Sequence, residues 1–409
     1  MSKQVVLGFS GGLDTSFCVE WLKEEGFDEV ICVTLDIGQE VDSSTVISKA
    51  EKLGVKTIKV IDGKENFVHF FLMPALKANA LYQNVYPLAT ALSRPYIGKV
   101  IADVAMEMGI RYVAHGCTGK GNDQVRIEMA IRSIMPDAEI LGPVRDNNFS
   151  RDYEIEYLRS RNIDLSFTKE NSYSIDQNLW GRSICAGILE DISVTPPEEV
   201  YEWTRSIDKC PEDAEEIEIE FASGVPVRLN NKTLRPLSII EKLNEIGGTH
   251  GIGRIDHIED RLVGIKSREI YEAPAALILI RAHQALEALT LSRSSLDFKR
   301  LVEDEYARLI YLGDWFSLHH MNLLAYLQNN QVVVDGVIRL KLHKGNCIVV
   351  GRRSDLALYQ KTLATYGEES EFDQRAAAQF IKFLGMESSI QSKIQKLNFD
   401  KELHQLPAS

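Results

Sequence analysis

Val5-Val6-Leu7-Gly8-Phe9-Ser10-Gly11-Gly12-Leu13-Asp14-Thr15-Ser16-Phe17 reads as a strand, a glycine-rich turn and the first turn of a helix. The apolar run 5–7 suits a buried strand, and Phe17, Trp21 and Leu22 continue at helical spacing. Such a turn leaves backbone N–H groups unpaired at a helix N-terminus, where an anion can sit. Glycines permit positive φ and let an anion approach the backbone closely. Ser10, Thr15 and Ser16 add hydroxyls, and Asp14 adds a carboxylate able to hold a magnesium ion on phosphates. The same residue types also make ordinary turns and helix caps, so the local sequence supports either reading. Neither GxxxxGK[ST] nor GxGxxG occurs in the chain.

Outward from this stretch, short β-rich runs alternate with helical segments up to about residue 145. Strands are expected at 30–34, 57–61, 111–114 and 140–141, and helices at 43–53, 97–108 and 124–134, with a longer helical region after residue 61. Gly54 and Gly109 read as helix stops. Repeated βα units predict an α/β domain with a doubly wound parallel sheet, whose ligands bind beyond the carboxyl ends of the strands. Two more polar loops fall at such ends. One is Asp36-Ile37-Gly38-Gln39. The other, residues 115–124, packs three glycines, a lysine, an acid and two amides before a helix carrying Arg126. A flexible turn explains its glycines but not that density of specific polar groups.

Beyond residue 147 the pattern changes to that of an α+β domain. A helix is expected at 152–161, followed by a polar stretch with Ser172, Ser174, Asp176, Asn178 and Trp180. The acidic run 212–220 reads as a solvated face, and 217–221 with 225–229 as a hairpin about Ser223-Gly224. A helix at 239–246 is expected to stop at Gly247-Gly248, before the glycine loop 250–256. Runs 331–342 and 346–351 are β-like. The segment 373–397 is an amphipathic helix with Phe380, Phe383, Leu384, Ile390, Ile394 and Leu397 on its apolar stripe. That stripe must bury itself on its own domain or on a neighbouring subunit.

Composition narrows the class. The 409 residues exceed one ordinary core, so two domains and an appendage are expected. A hydrophobic content of 44% and a charged content of 26% are ordinary for a globular protein. The net charge of −13 argues against nucleic acid as the main partner. No apolar stretch reaches the ~20 residues that span a bilayer, and the first 30 residues do not read as a signal peptide. The six cysteines form no CxxC and no zinc-like spacing with the nine histidines, so free thiols in a reducing, cytoplasmic setting are expected. Cys117 has only Lys120 near it in sequence to lower its pKa.

SGGLDTS, DIGQ, YPLATALSRP, HGCTGKGNDQVR, YSIDQNL, NEIGGTHGIGRID and VGIKSREIY together resemble the argininosuccinate synthases, a branch of the N-type ATP pyrophosphatases, over nearly the whole chain. The resemblance implies an enzyme that joins citrulline to aspartate with ATP and releases AMP and pyrophosphate through a citrullyl-adenylate. It implies an adenine-nucleotide α-hydrolase-like domain over residues 1–165, an α+β synthetase domain over 166–368 and a C-terminal oligomerisation tail over 369–409 of a homotetramer. Gly8, Phe9, Ser10, Gly11, Gly12, Leu13, Asp14, Thr15, Ser16 and Gly116 would hold ATP, with magnesium near Asp14 and no tightly bound protein metal. Thr118, Asn122 and Asp123 would bind aspartate. Tyr86, Ala91, Asn122, Arg126, Ser174, Ser183, Glu259 and Tyr271 would hold citrulline. Asp14, Asn122 and Asp123 would stand nearest the chemistry.

Several positions depart from the family pattern: Ala91 stands where a serine is common, Gly8-Phe9 for Ala-Tyr, Val144 for tryptophan, and Ala273 and Leu277 for hydroxyl residues. They leave open a related ligase with another ureido or amide acceptor. A tRNA-thiolating relative lacks support because paired cysteines and a basic face are missing, and a non-catalytic paralogue because both loops are intact.

Overall fold

The computed structural model describes residues 3–39, 43–163 and 173–395. The first half builds one parallel sheet from β1 (Gln4–Gly8), β2 (Glu29–Asp36), β3 (Thr57–Asp62), β4 (Tyr112–Ala114) and β5 (Glu139–Leu141), in the order β3-β2-β1-β4-β5. Strand order reverses on either side of β1, which pairs with β2 through Leu7↔Cys32 and with β4 through Leu7↔Ala114. That reversal opens a crevice at the carboxyl ends of β1 and β4. Successive side chains go to opposite faces, and both faces are buried. Val5, Leu7 and Cys32 pack with α1 (Leu13–Glu24) and α2 (Ser43–Lys52), while Val6, Ile31 and Val33 join the larger core on the other side.

The remaining helices of this half are α3 (Lys64–Phe67), a π-helical turn Val68–Leu72, α4 (Met73–Lys77), α5 (Ala89–Met108), α6 (Asp123–Ile134), α7 (Pro143–Asp146) and α8 (Arg151–Ser160). α5 begins eight residues before the predicted 97 and carries Pro95 inside it. Its first turn is capped from outside: the Tyr86 hydroxyl accepts the N–H groups of Thr90 at 2.9 Å and Ala91 at 3.4 Å. A cap supplied by tertiary structure leaves no local sequence signal.

Two antiparallel sheets follow. β11 (Arg254–Asp260), β12 (Lys266–Glu272), β7 (Gly181–Cys185) and β6 (Ser174–Asn178) form one, in that order. The second is ordered β10-β9-β8-β13-β14, from β8 (Glu215–Ala222), β9 (Val225–Leu229), β10 (Lys232–Thr233), β13 (Gly336–His343) and β14 (Asn346–Arg353). Along β8, Ile217, Ile219 and Phe221 are buried while the intervening glutamates face outward. Helices α9 (Pro236–Thr249), α10 (Pro274–Thr290), α11 (Arg293–Leu312) and α12 (Leu318–Asn330) pack with these sheets.

Two expectations here are corrected. Gly247 and Gly248 do not stop α9; they lie within it, where a Cβ on Gly248 would fall 2.0 Å from the Trp203 carbonyl oxygen and one on Gly247 2.8 Å from Pro274 Cβ. Close packing, not helix termination, requires them. The run from 331 opens with a 3-10 turn, Gln331–Val333, before the strand starts at Gly336.

The chain divides into two compact units, Met1–Ala357 and Leu358–Ser409. The second contains α13 (Lys361–Ala364), α14 (Gln374–Leu384) and α15 (Met386–Gln395), so the single tail helix expected from residue 373 is interrupted at Gly385. No side chain of α14 or α15 is buried. Leu397, Ser172 and the expected boundary at 165/166 lie outside the described residues.

Candidate active site

The loop after β1 is held open by its own hydroxyls. Gly11 takes the left-handed conformation at φ +72°, Thr15 Oγ1 lies 3.2 Å from Ser10 Oγ and 3.3 Å from the Gly12 carbonyl, and the Gly12 N–H donates to Ser10 Oγ at 3.3 Å. Gly12 precedes α1 with no side-chain cap on the helix, so the first N–H groups of α1 point into the crevice as an anion site requires. Ser16 Oγ is buried and has no partner among the described residues.

Asp14 lies beside Glu154 of α8; burial raises the Asp14 carboxyl although Glu154 and Arg151 act to lower it, and burial together with the Asp14 carboxyl pushes Glu154 up to about 9. Two neighbouring carboxyls form a hard-oxygen pair, and one oxygen of Glu154 is buried with no partner among the described residues.

The loop after β4 meets this one directly. A Cβ on Gly116 would lie 3.1 Å from both Asp14 C and Thr15 N, so only glycine lets the two backbones approach this far. The same loop then runs to α6, and Asn122 at its start, with Asp123 and Arg126 in its first turn, enters a polar cage. Asn122 Nδ2 donates to the Tyr311 hydroxyl at 2.8 Å, and Asn122 Oδ1 accepts from the Leu262 N–H at 2.9 Å. Arg94 Nη2 bonds Asp123 Oδ2 at 2.9 Å and also pairs with Asp176. Burial alone would raise the Asp123 carboxyl, yet Arg94, Arg126 and Arg261 together hold it below the ordinary value.

Arg126 is buried, with Nε donating to the Tyr311 carbonyl at 2.9 Å and its guanidinium 4.6 Å from the Tyr311 ring centroid. Its Nη2 is buried and has no partner among the described residues. Glu259, from β11, accepts hydrogen bonds from the hydroxyls of Tyr271 and Tyr311, and burial still raises its carboxyl. Tyr271 stacks on Tyr86 at 4.2 Å, and Tyr82 stacks on Tyr311 at 3.5 Å. Register places Ser183 between Tyr271 and Asp176 on neighbouring strands.

Two family models cover the chain: the arginosuccinate synthase N-terminal HUP domain matches residues 4–164, and the arginosuccinate synthase C-terminal domain matches residues 173–391. The argininosuccinate synthase of Dehalococcoides mccartyi is 49% identical over 97% of this chain and 98% of its own length. That of Dictyoglomus turgidum is 51% identical over 94% and 96%, and that of Pyrococcus furiosus 50% identical over 94% and 93%. The chain belongs to the argininosuccinate synthase family.

Within the framework of that family, the structure gathers Gly8 to Ser16 with Gly116 in one group, and Tyr86, Ala91, Asn122, Asp123, Arg126, Ser183, Glu259 and Tyr271 in another. Thr118 and Ser174 are exposed, on the loop after β4 and on β6 respectively. The departures have local causes. A Cβ on Gly8 would lie 2.7 Å from Ile101 Cδ1, so an alanine there requires a smaller or displaced neighbour. Ala91, Val144 and Ala273 are fully buried and fill their sites without polar atoms. Burial, with Asp123 nearby, pushes the Cys117 thiol up from its ordinary value. Tyr311, Arg94 and Glu154 were not singled out by sequence; each comes from a segment remote from the loop it supports, and only the Arg94-Pro95 of SRP lay in a quoted motif.

Proposed function

We propose that this chain joins citrulline to aspartate, with ATP cleaved between its α and β phosphates. The observation that carries the reading is the junction of two loops on adjacent strands, Gly116 against Asp14 and Thr15, opening onto the Arg126–Glu259–tyrosine cage. In this assignment the α1 N-terminus and the hydroxyls of Ser10, Thr15 and Ser16 receive the pyrophosphate portion of ATP. Asp14, with Glu154 beside it, fits a magnesium ion, which would add charge neutralisation on the phosphates.

Arg126 pairs the citrulline carboxylate through its planar fork, and Glu259 takes the ammonium. The two groups then hold the ureido oxygen in line with the α-phosphate. Attack gives the citrullyl-adenylate and frees pyrophosphate. Asp123 holds the amino group of aspartate with Thr118 and Asn122 near it; once that ammonium has given a proton to solvent, the substrate amine attacks the ureido carbon, the C–O bond to AMP breaks, and the nitrogen's second proton leaves with AMP or to water. No covalent enzyme nucleophile is needed.

Purified protein given ATP, citrulline and aspartate is expected to form AMP and pyrophosphate, and to form little without either amino acid. Failure to form both rejects the reading. Formation with another ureido compound but not with citrulline favours a different acceptor, the outcome that Ala91 would explain.

For the assembly, a homotetramer is proposed, with the apolar side chains of Phe380, Phe383, Leu384, Ile390 and Ile394 in the subunit interface; all five are exposed within the chain. Truncation after residue 368 is expected to lower the mass measured by light scattering, and an unchanged mass rejects that role. Among the described residues no helix is long and apolar enough to cross a membrane, and the six free cysteines fit the proposed cytoplasmic setting.

A further inference from the structure

The loop proposed to hold pyrophosphate is poor in positive charge. Residues 8–16 contain no lysine or arginine, and their one ionisable side chain, Asp14, lies beside a second carboxyl, Glu154. Backbone N–H groups and hydroxyls are neutral donors. Yet breaking the bond between the α and β phosphates places about three negative charges on the departing pyrophosphate, and charge that develops in the transition state is where a fixed cation contributes most. Besides the magnesium proposed at Asp14, any cationic side chain there must come from another element.

α2 supplies one. Val46 and Ala50 of this helix are buried in the core that contains Phe9 and Leu13, which fixes α2 against the flank of the loop. On the same side, Lys49 lies along the loop backbone: its Nζ donates to the Gly11 carbonyl at 2.9 Å, and a Cβ on Gly11 would be 3.4 Å from Lys49 Cδ. The left-handed turn at Gly11 therefore has a lysine stem packed on it and an ammonium at its rim. Partial burial lowers the pKa of that ammonium, the direction expected of a cation withdrawn from water.

We propose that Lys49 is a further catalytic residue, its ammonium touching the β- and γ-phosphates of ATP and stabilising the charge on the departing pyrophosphate. This rests on the reading of residues 10–16 as the pyrophosphate site. Lys49 would thus do from a neighbouring helix what a lysine inside the loop does in other nucleotide-binding proteins.

The test compares wild type with Lys49→Gln and Lys49→Arg, following kcat, the three KM values, inhibition by inorganic pyrophosphate and by AMP, and thermal melting. Loss of one such stabilising group costs about 10²-fold in kcat. Lys49→Gln is expected to show that loss, with KM for citrulline and aspartate unchanged within about two-fold, and Lys49→Arg to recover most of it. The inhibition constant for pyrophosphate should rise about ten-fold in Lys49→Gln while that for AMP stays put, a split that a merely structural lysine would not produce.

Equal pyrophosphate inhibition of wild type and Lys49→Gln overturns the inference and leaves the loop assignment standing. Parallel weakening of pyrophosphate and AMP inhibition with a lowered melting temperature also overturns it, in favour of a scaffolding role. A wild type that pyrophosphate does not inhibit in competition with ATP removes the loop assignment itself.

Discussion

Arg126→Gln is expected to lower kcat/KM for citrulline by about 10³-fold while leaving KM for ATP within a few-fold, since removal of one partner of a buried charge pair costs about 3–5 kcal/mol. The side chain is fixed before any ligand arrives. Its Nε bonds the Tyr311 carbonyl, its plane lies against the Tyr311 ring, and Gly313 packs so closely that a Cβ there would be 2.8 Å from Arg126 Cα. Asp123 lies 3.6 Å from Nη1, too far for a tight pair, and Nη2 is buried with no acceptor among the described residues.

Burying a charged donor without a partner is unfavourable, so the cage is incomplete until a carboxylate enters. Lysine cannot repair the loss, because a single ammonium reproduces neither the Nε bond nor a two-point contact. Arg126→Lys is therefore expected to remain at least about ten-fold impaired. Steady-state kinetics with citrulline varied, alongside thermal melting, decide the matter. A citrulline KM and kcat unchanged in Arg126→Gln would show that the fork points at something else.

What the sequence made legible, and what it did not, follows the range of the interactions involved. The strand, turn and helix of residues 5–24 are encoded by neighbours, and the structure places them as β1 and α1. The parallel α/β sheet followed from alternating patterns, and so did the β8–β9 hairpin and the β-like runs that hold β13 and β14, but the β11-β12-β7-β6 sheet did not, its strands lying in a polar stretch and around a glycine loop. Local signals failed where tertiary contacts overrode them. α5 starts at Ala89 with its first turn capped from outside by Tyr86, and α9 runs through Gly247-Gly248, where Trp203 and Pro274 leave no room for a Cβ.

The site divides in the same way. Residues within one loop could be read as a polar cluster, but the Tyr311 hydroxyl reaches Asn122 across 189 positions, and Lys49 reaches Gly11 across 38. Neither pairing has a fixed spacing that a sequence pattern could reveal. The family resemblance bridged part of that gap by supplying Glu259 and Tyr271. It did not point to Tyr311, the group that joins Asn122, Arg126 and Glu259 into one network.

Gly116→Val tests the junction between the loops, and is expected to lower kcat/KM for ATP by about 10³-fold. At this position a Cβ alone would stand 3.0 Å from Thr15 Cγ2 and 3.1 Å from the backbone atoms Asp14 C and Thr15 N. Backbone at a helix start cannot step aside as a flexible side chain can, because the Ser16 N–H is bonded to the Gly12 carbonyl at 3.0 Å and Thr15 is tied to Ser10 and Gly12. The added methyls must therefore push the two loops apart.

Displacement of reacting groups by about 1 Å costs about 10²-fold in rate, and loss of nucleotide contacts adds to it. Gly116→Ala, which asks the neighbours to give by only a few tenths of an ångström, should be milder, about ten-fold. The graded pair separates a geometric effect from unfolding. Both variants are expected to melt near wild type, since the loop lies at the crevice and not in the core between β1 and β4. Calorimetry with ATP should show affinity falling in the order Gly, Ala, Val. Wild-type ATP affinity and turnover in Gly116→Val would mean that the nucleotide does not lie across this junction, and the pyrophosphate assignment of residues 10–16 would lose its structural basis.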